Sequence, residues 1–301
     1  MIQVVTIVGT AAGLSILPVL WQLKNTLRAT SLTTAWWWAA AAWSAWSAAW
    51  TADRFGTWAS RGAVDQLWYA ASISLLAPLI AVLGAKRPNS RVWGWFVLLP
   101  LVLVLGWPAA AAWGGRFPHA GWSLEEPVFV GFALVLLMGL GNYVGTRCTI
   151  PVLLWGVGLV LVVAPLWPPA LGLLPEAGAC RAGGTLVLVA AIWLAFGLMH
   201  VQPPPRRSLE LVWRDFQNLF GIVWARRIQE RFNATAVESH WPARLGPNGL
   251  IGLDGGLQDA AALPAGTREE MEHALRWLLR RFVDPQWIDD RCSSTRTPRD
   301  A

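Results

Sequence analysis

Trp43, Trp46 and Trp50, followed by Asp53 and Arg54, are the residues of this chain whose types and spacing best suit chemistry. Indoles three, four or seven positions apart on a helix share one stripe, and such a stripe is an apolar surface on which a planar ligand can stack. Asp53 and Arg54 would set opposite charges at its edge, and His119 would add an imidazole able to ligate a metal. Glu125, Glu126, Cys180 and Arg181 are the other groups expected on the same side, with Glu125-Glu126 read as a helix start rather than an acid/base pair. His240 and His273 have no Cys or His neighbours at metal-ligand spacing. Asp254-Gly255-Gly256 comes without a phosphate loop and reads as a turn. Neither a catalytic residue nor a metal site is assigned.

The segment Trp43 to Arg54 resembles the tryptophan-rich loop of bacterial haem-handling proteins in cytochrome c maturation. The resemblance implies an external haem platform on which Trp43, Trp46, Trp50, Asp53 and Arg54 would flank the macrocycle and His119 would ligate iron. It covers a dozen residues. The segment departs from the family in the longer spacing from Trp50 to Asp53, in the missing glycine, and in offering a single outer histidine, His119; His200 is expected at the opposite membrane face. Haem is therefore the alternative. The preferred reading expects no cofactor and has the indoles as bulk and interface anchors, while the small stripe Ala40, Ser44 and Ala48 packs on a neighbouring helix.

Seven apolar stretches of bilayer-spanning length position these residues: Ile2 to Leu23, Thr33 to Ala52, Gln66 to Ala85, Val92 to Trp113, Pro127 to Thr146, Ile150 to Trp167 and Gly183 to Val201. None contains Asp, Glu, Lys or Arg. Only 14% of the 301 residues are charged, about half the share of a soluble domain, so the chain is expected to be an all-α polytopic membrane protein. The first stretch lacks a basic lead and a small-residue cleavage site, and reads as a retained helix. Charge-free spans argue against an ion-coupled transporter. Gly141 and Gly145 form a GxxxG pair that could mark a packing face.

Charge sets the orientation. Residues 1–201 hold 10 Lys/Arg against 5 Asp/Glu, and the remainder is near neutral at 14 against 13. The excess lies after odd-numbered spans, in Lys24, Arg28, Lys86, Arg87, Arg91 and Arg147, which puts those connections and the C-terminal tail in the cytoplasm and the N-terminus outside. Basicity thus reports topology in a plasma or inner membrane, and no nucleic-acid partner is expected.

Residues 1–201 read as the membrane domain and 202–301 as a cytoplasmic tail. The tail carries an amphipathic helix over about 209–232 and a second over about 268–283, opened by a capping box at Thr267 to Glu270 and stopped at Asp284-Pro285. A Gly- and Pro-rich connection over 233–266 separates them, with a hairpin turn expected at Asn248-Gly249. Trp213, Phe216, Phe220 and Trp224 line the first helix as candidates for binding a protein partner. The preferred function is a membrane-anchored interaction, assembly or sensory component whose tail docks a partner, an architecture that resembles the seven-helix input domains of bacterial sensors. An enzyme or cofactor handler using the outer loops is the alternative, and a channel or carrier for an uncharged solute comes third.

Overall fold

The computed structural model describes residues 2–56, 60–87, 90–114, 122–170, 172–200, 208–259 and 262–292. Five helical stretches are long and apolar enough to cross a membrane: Ile7–Leu27, Arg61–Leu83, Gly94–Ala111, Thr149–Leu166 and Ala177–His200. The chain is a helical membrane protein. The first stretch combines α1 (Ile2–Leu14) and α2 (Ile16–Leu27), which meet at Ser15 ahead of Pro18, a residue with no N–H to return to the helix. α3 (Thr33–Phe55) is 23 residues long, but Trp, Ser and Thr lower its hydropathy. α4 (Arg61–Ser74) and α5 (Ala77–Leu83) form one interrupted stretch. Next come α6 (Ser90–Trp93), a π-helical turn at Gly94–Leu98 beside Pro100, and α7 (Leu99–Gly114). α8 (Glu126–Gly141) is a shorter apolar helix with Glu125 at its N-cap, followed by α9 (Thr149–Val163) and α10 (Ala177–His200).

Small residues set the closest approaches, though not where the sequence pattern puts them. α9 and α10 meet at Gly158 and Gly184, where a Cβ on either would come within 3.0 Å of the other's carbonyl oxygen. Among the described residues nothing lies within 4 Å of a Cβ position on Gly141 or Gly145, so the GxxxG pair packs against none of them; α8 ends there, and Gly145 takes a φ of +86° in the turn that follows. On α3 the expected faces are exchanged. Ser44 and Ala48 are exposed, while Trp43, Trp46 and Trp50 are buried. Burying an indole removes far more apolar surface from the surroundings than burying Ala, and the space comes from α1, where a Cβ on Gly9 would lie 2.2 Å from the Trp50 ring. Three indoles seven residues apart then donate hydrogen bonds across to α1 and α2: Trp36 to the Leu20 carbonyl (2.8 Å), Trp43 to the Gly13 carbonyl (3.2 Å) and Trp50 to Thr10 Oγ1 (3.1 Å).

The tail is more than two helices and a connection. α11 (Ser208–Glu238) is broken at Gly221. A hairpin pairs β1 (Ala243–Gly246) with β2 (Gly249–Gly252), so the tail adds a small antiparallel sheet to an otherwise helical protein. Its two-residue loop is Pro247-Asn248, one position earlier than expected, because Gly246 and Gly249 are the closing pair. Asp254-Gly255-Gly256 is a turn, with Gly255 at a φ of +81°. α12 (Ala265–Leu279) starts after Pro264, so Thr267 lies inside the first turn and caps nothing. That helix ends at Leu279, earlier than the expected stop at Asp284-Pro285, and Pro285 instead opens another, α13 (Pro285–Cys292).

Trp213, Phe216, Phe220 and Phe232 are all buried to within 1%. Phe282 packs edge-on against Phe216, Phe220 and Trp224, with ring centroids 5.4, 5.4 and 4.9 Å away. Trp213 donates to the Gly246 carbonyl at 2.8 Å and thereby holds the hairpin.

Candidate functional site

The helices run further than the charge-free stretches, and this brings Asp53, Asp65 and Arg181 together at one end of the bundle. Asp53 lies in the last turn of α3, and Asp65 and Arg181 are each the fifth residue of their helices, α4 and α10. The Arg181 guanidinium, 6% exposed, forms a close ion pair with Asp65 and a longer one, 3.5 Å, with Asp53. Asp65 Oδ2 also accepts the Trp122 N–H at 3.1 Å, which ties the segment before α8 to the same carboxylate. Arg54 donates to the Gly178 carbonyl at 3.3 Å and lies 4.9 Å from the Trp50 ring, as Arg181 lies 5.9 Å from that of Trp68. Two arginines and two aspartates leave the cluster neutral.

Beneath the ions, Trp68 is edge-on to Trp46 and Trp50, with centroids 4.9 and 6.2 Å away. The platform expected of Trp43, Trp46, Trp50, Asp53 and Arg54 is thus closed on itself. All three indoles are interior, and both charges face protein groups; His119 lies outside the described residues. What the cluster retains is unspent polar capacity. Asp53 Oδ2, Arg181 Nε, Trp68 Nε1 and both amide atoms of the fully buried Gln66 have no hydrogen-bond partner among the described residues. A buried orphan group costs about 1–3 kcal/mol, so this end of the bundle is suited to holding a small polar guest or to locking α3, α4 and α10. Asp65 and its convergence with Arg181 escaped sequence reasoning, although opposite charges at the same edge of different spans were a usable signal.

At the other end, the turn between α8 and α9 grips the break in α11. Gly221, at φ +75° and ψ 179°, opens the helix and frees backbone groups that Asn142 collects. The Asn142 amide donates to the Phe220 carbonyl at 3.2 Å and accepts the Val223 N–H at 3.1 Å, while its own carbonyl accepts the Ile222 N–H at 2.7 Å. Tyr143 donates to the Leu219 carbonyl at 3.3 Å. The α2–α3 and α5–α6 loops hold the far side of the tail: Ser31 N–H bonds the Phe282 carbonyl (2.7 Å), Asp284 N–H the Ala29 carbonyl (2.8 Å), and Arg87 N–H the Arg281 carbonyl (2.9 Å). Trp224 reaches the Val82 carbonyl at 3.0 Å. Trp213, Phe216, Phe220 and Trp224 lie buried in the core that the tail shares with the bundle.

Between these ends an apolar cavity of about 260 Å³ opens through the side of the bundle. Its walls come from Leu20 and Leu23 of α2, Ala39 of α3, Pro78 of α5, Trp155 of α9 and Ala195 of α10. Asn218 and Leu219 of α11 complete it. Neither a protein-family model, nor a curated protein, nor a solved structure matches this chain, so its own geometry carries the functional reading.

Proposed function

We propose that the protein is a membrane-embedded sensory or interaction component that takes an apolar molecule from the lipid phase and passes its presence to the tail. One observation carries this reading: tail residues Asn218 and Leu219 close a cavity otherwise made of the helices and turns of the bundle. An occupant would touch bundle and tail at once, three residues from the break that Asn142 holds, which is the arrangement in which binding at one place biases a neighbouring two-state element. The tail partner would meet the exposed rim of the hairpin, where Leu253 and Leu257 are solvent-facing, since the aromatic stripe of α11 is covered.

Filling the cavity from within tests the idea without knowledge of the ligand. Ala195→Phe in the full chain, reconstituted in lipid nanodiscs, is expected to change amide hydrogen exchange over 217–223 by about fivefold or more, the lower end of ordinary allosteric coupling. Leu134→Phe, on the exposed face of α8, should leave those amides alone. If both variants exchange like the parent, cavity and tail are not coupled and the reading is abandoned.

The same reading places seven spans in the membrane, counting α3 and α8, with the N-terminus outside and the tail in the cytoplasm of a plasma or inner membrane. Support comes from the α2–α3, α5–α6 and α8–α9 connections, the basic ones, all of which bond the tail. Cys180 is buried and unsuited to labelling, so the orientation is tested at exposed positions in a Cys292→Ser background. Leu173→Cys should react with an impermeant maleimide on intact cells, and Leu253→Cys only after permeabilisation; the reverse pattern inverts the topology.

A further inference from the structure

Four basic side chains converge on a groove where the tail meets the membrane end of α5. Lys86 comes from the loop after α5, Arg227 and Arg231 from successive turns of α11, and Arg281 from the turn after α12; together they line a cavity of about 370 Å³. Among the described residues none of the four has a carboxylate within ion-pairing distance, whereas neighbouring basic groups do: Arg87 pairs with Asp284 at 2.5 Å, and Arg226 with Glu230 at 3.1 Å. Glu230, the acid on the groove wall, is already engaged by Arg226, so the groove presents an excess of positive charge. Gathering like charges without counter-ions costs stability through self-repulsion, and that cost falls away when an anion sits among them.

The position identifies which anion. Trp224 forms the inner wall and is bonded to the carbonyl of Val82, one residue from the end of a stretch long and apolar enough to cross a membrane, so the groove lies at headgroup level. Trp277 stands at the rim, half exposed, with the Arg280 guanidinium 4.7 Å from its ring. An indole in that place suits the interface, where one end is apolar and the other wet. Basic pockets beside membrane helices are suited to phosphate headgroups, and arginine's planar fork matches phosphate oxygens.

We propose that this groove binds the phosphate of an anionic phospholipid headgroup, with Arg227, Arg231, Arg281 and Lys86 as its cationic ligands. The site is separate from the apolar cavity, and its test reads lipid retention rather than tail exchange, so either idea can fail alone. The full chain is exchanged into nanodiscs of phosphatidylcholine with or without phosphatidylglycerol, and retained lipids are counted by native mass spectrometry after release. The parent is expected to retain phosphatidylglycerol over phosphatidylcholine, and Arg227→Gln/Arg231→Gln to lose that preference by roughly tenfold. Arg244→Gln/Arg268→Gln removes the same charge from exposed positions elsewhere and should retain it. Both groove arginines are exposed, so the thermal stability of the variant should match the parent and a folding defect would be visible as its loss. Equal loss in the two double variants, or no preference in the parent, overturns the site. Soluble glycerol phosphate is the second arm: if it binds the lipid-free protein in detergent and displaces retained phosphatidylglycerol, the groove serves a soluble phosphate and the lipid assignment is wrong.

Discussion

Arg181→Leu is expected to be the most damaging single replacement in the membrane helices, lowering the melting temperature in detergent by roughly 10 °C. Removing one partner of a buried ion pair typically costs about 3–5 kcal/mol, because the partner's charge stays behind without compensation, and for a protein of this size each kcal/mol corresponds to about 2–4 °C. Here Asp65, at 10% side-chain exposure, would be stranded, and Asp53, at 17%, would keep only Arg54 at 3.9 Å. Asp65→Asn should cost less, since Asn keeps an acceptor for the Trp122 N–H and Arg181 retains Asp53. Asp53→Asn should cost least, its contact being the longer one. Replacing Arg181, Asp53 and Asp65 together by Leu should recover part of the loss, as apolar substitutes for whole buried networks often do. The rank order is the measurement that counts. Equal and small effects from all three single changes would mean that the cluster is solvated and locks nothing.

That cluster also shows where legibility in the sequence ended. Each of its residues stands one or a few positions beyond an apolar stretch, where a hydropathy window has already stopped, and Arg181 is 128 residues from Asp53. Local pattern shows that a charge lies at a membrane edge, but nothing local says which other edge it meets. The Trp-rich helix failed for a related reason. Periodicity separated Trp43, Trp46 and Trp50 from Ala40, Ser44 and Ala48 correctly, yet period alone does not say which face packs; Gly9 of α1, an unremarked glycine 41 residues before Trp50, decided it. Charge bias is a summed quantity and groups connections rather than single residues. The basic connections at Arg28, Lys86 and Arg147 are read from sequence as sharing a face, and in the structure their loops gather on the tail. The aromatic stripe of α11 was legible as a buried face, while its destination, the seam with the bundle, depended on a break at Gly221 that a helical period conceals.

Gly221 is the position where a single methyl group should do the most to the tail. Gly221→Ala asks an L-residue to hold φ +75° with ψ 179°, a region essentially confined to glycine and a strain of about 1–3 kcal/mol, and places a Cβ 2.3 Å from Asn142 Nδ2 and 2.4 Å from its carbonyl oxygen. Backbone and a hydrogen-bonded amide cannot both yield, so the three bonds joining Asn142 to Phe220, Ile222 and Val223 must open together. With about 1–3 kcal/mol for each buried group left unpaired, the loss at the seam should reach roughly 4 kcal/mol or more. The effect should be confined to the tail: limited proteolysis and hydrogen exchange are expected to expose 208–238 while the membrane helices keep their protection. Asn142→Ala supplies the intermediate case, because it removes the two side-chain bonds and leaves the Ile222 N–H on the backbone carbonyl. Exchange over 217–223 should therefore rise from parent to Asn142→Ala to Gly221→Ala. Parent-like protection in Gly221→Ala would show that the tail docks without this grip, and the coupling between cavity and tail would then lose its mechanical link.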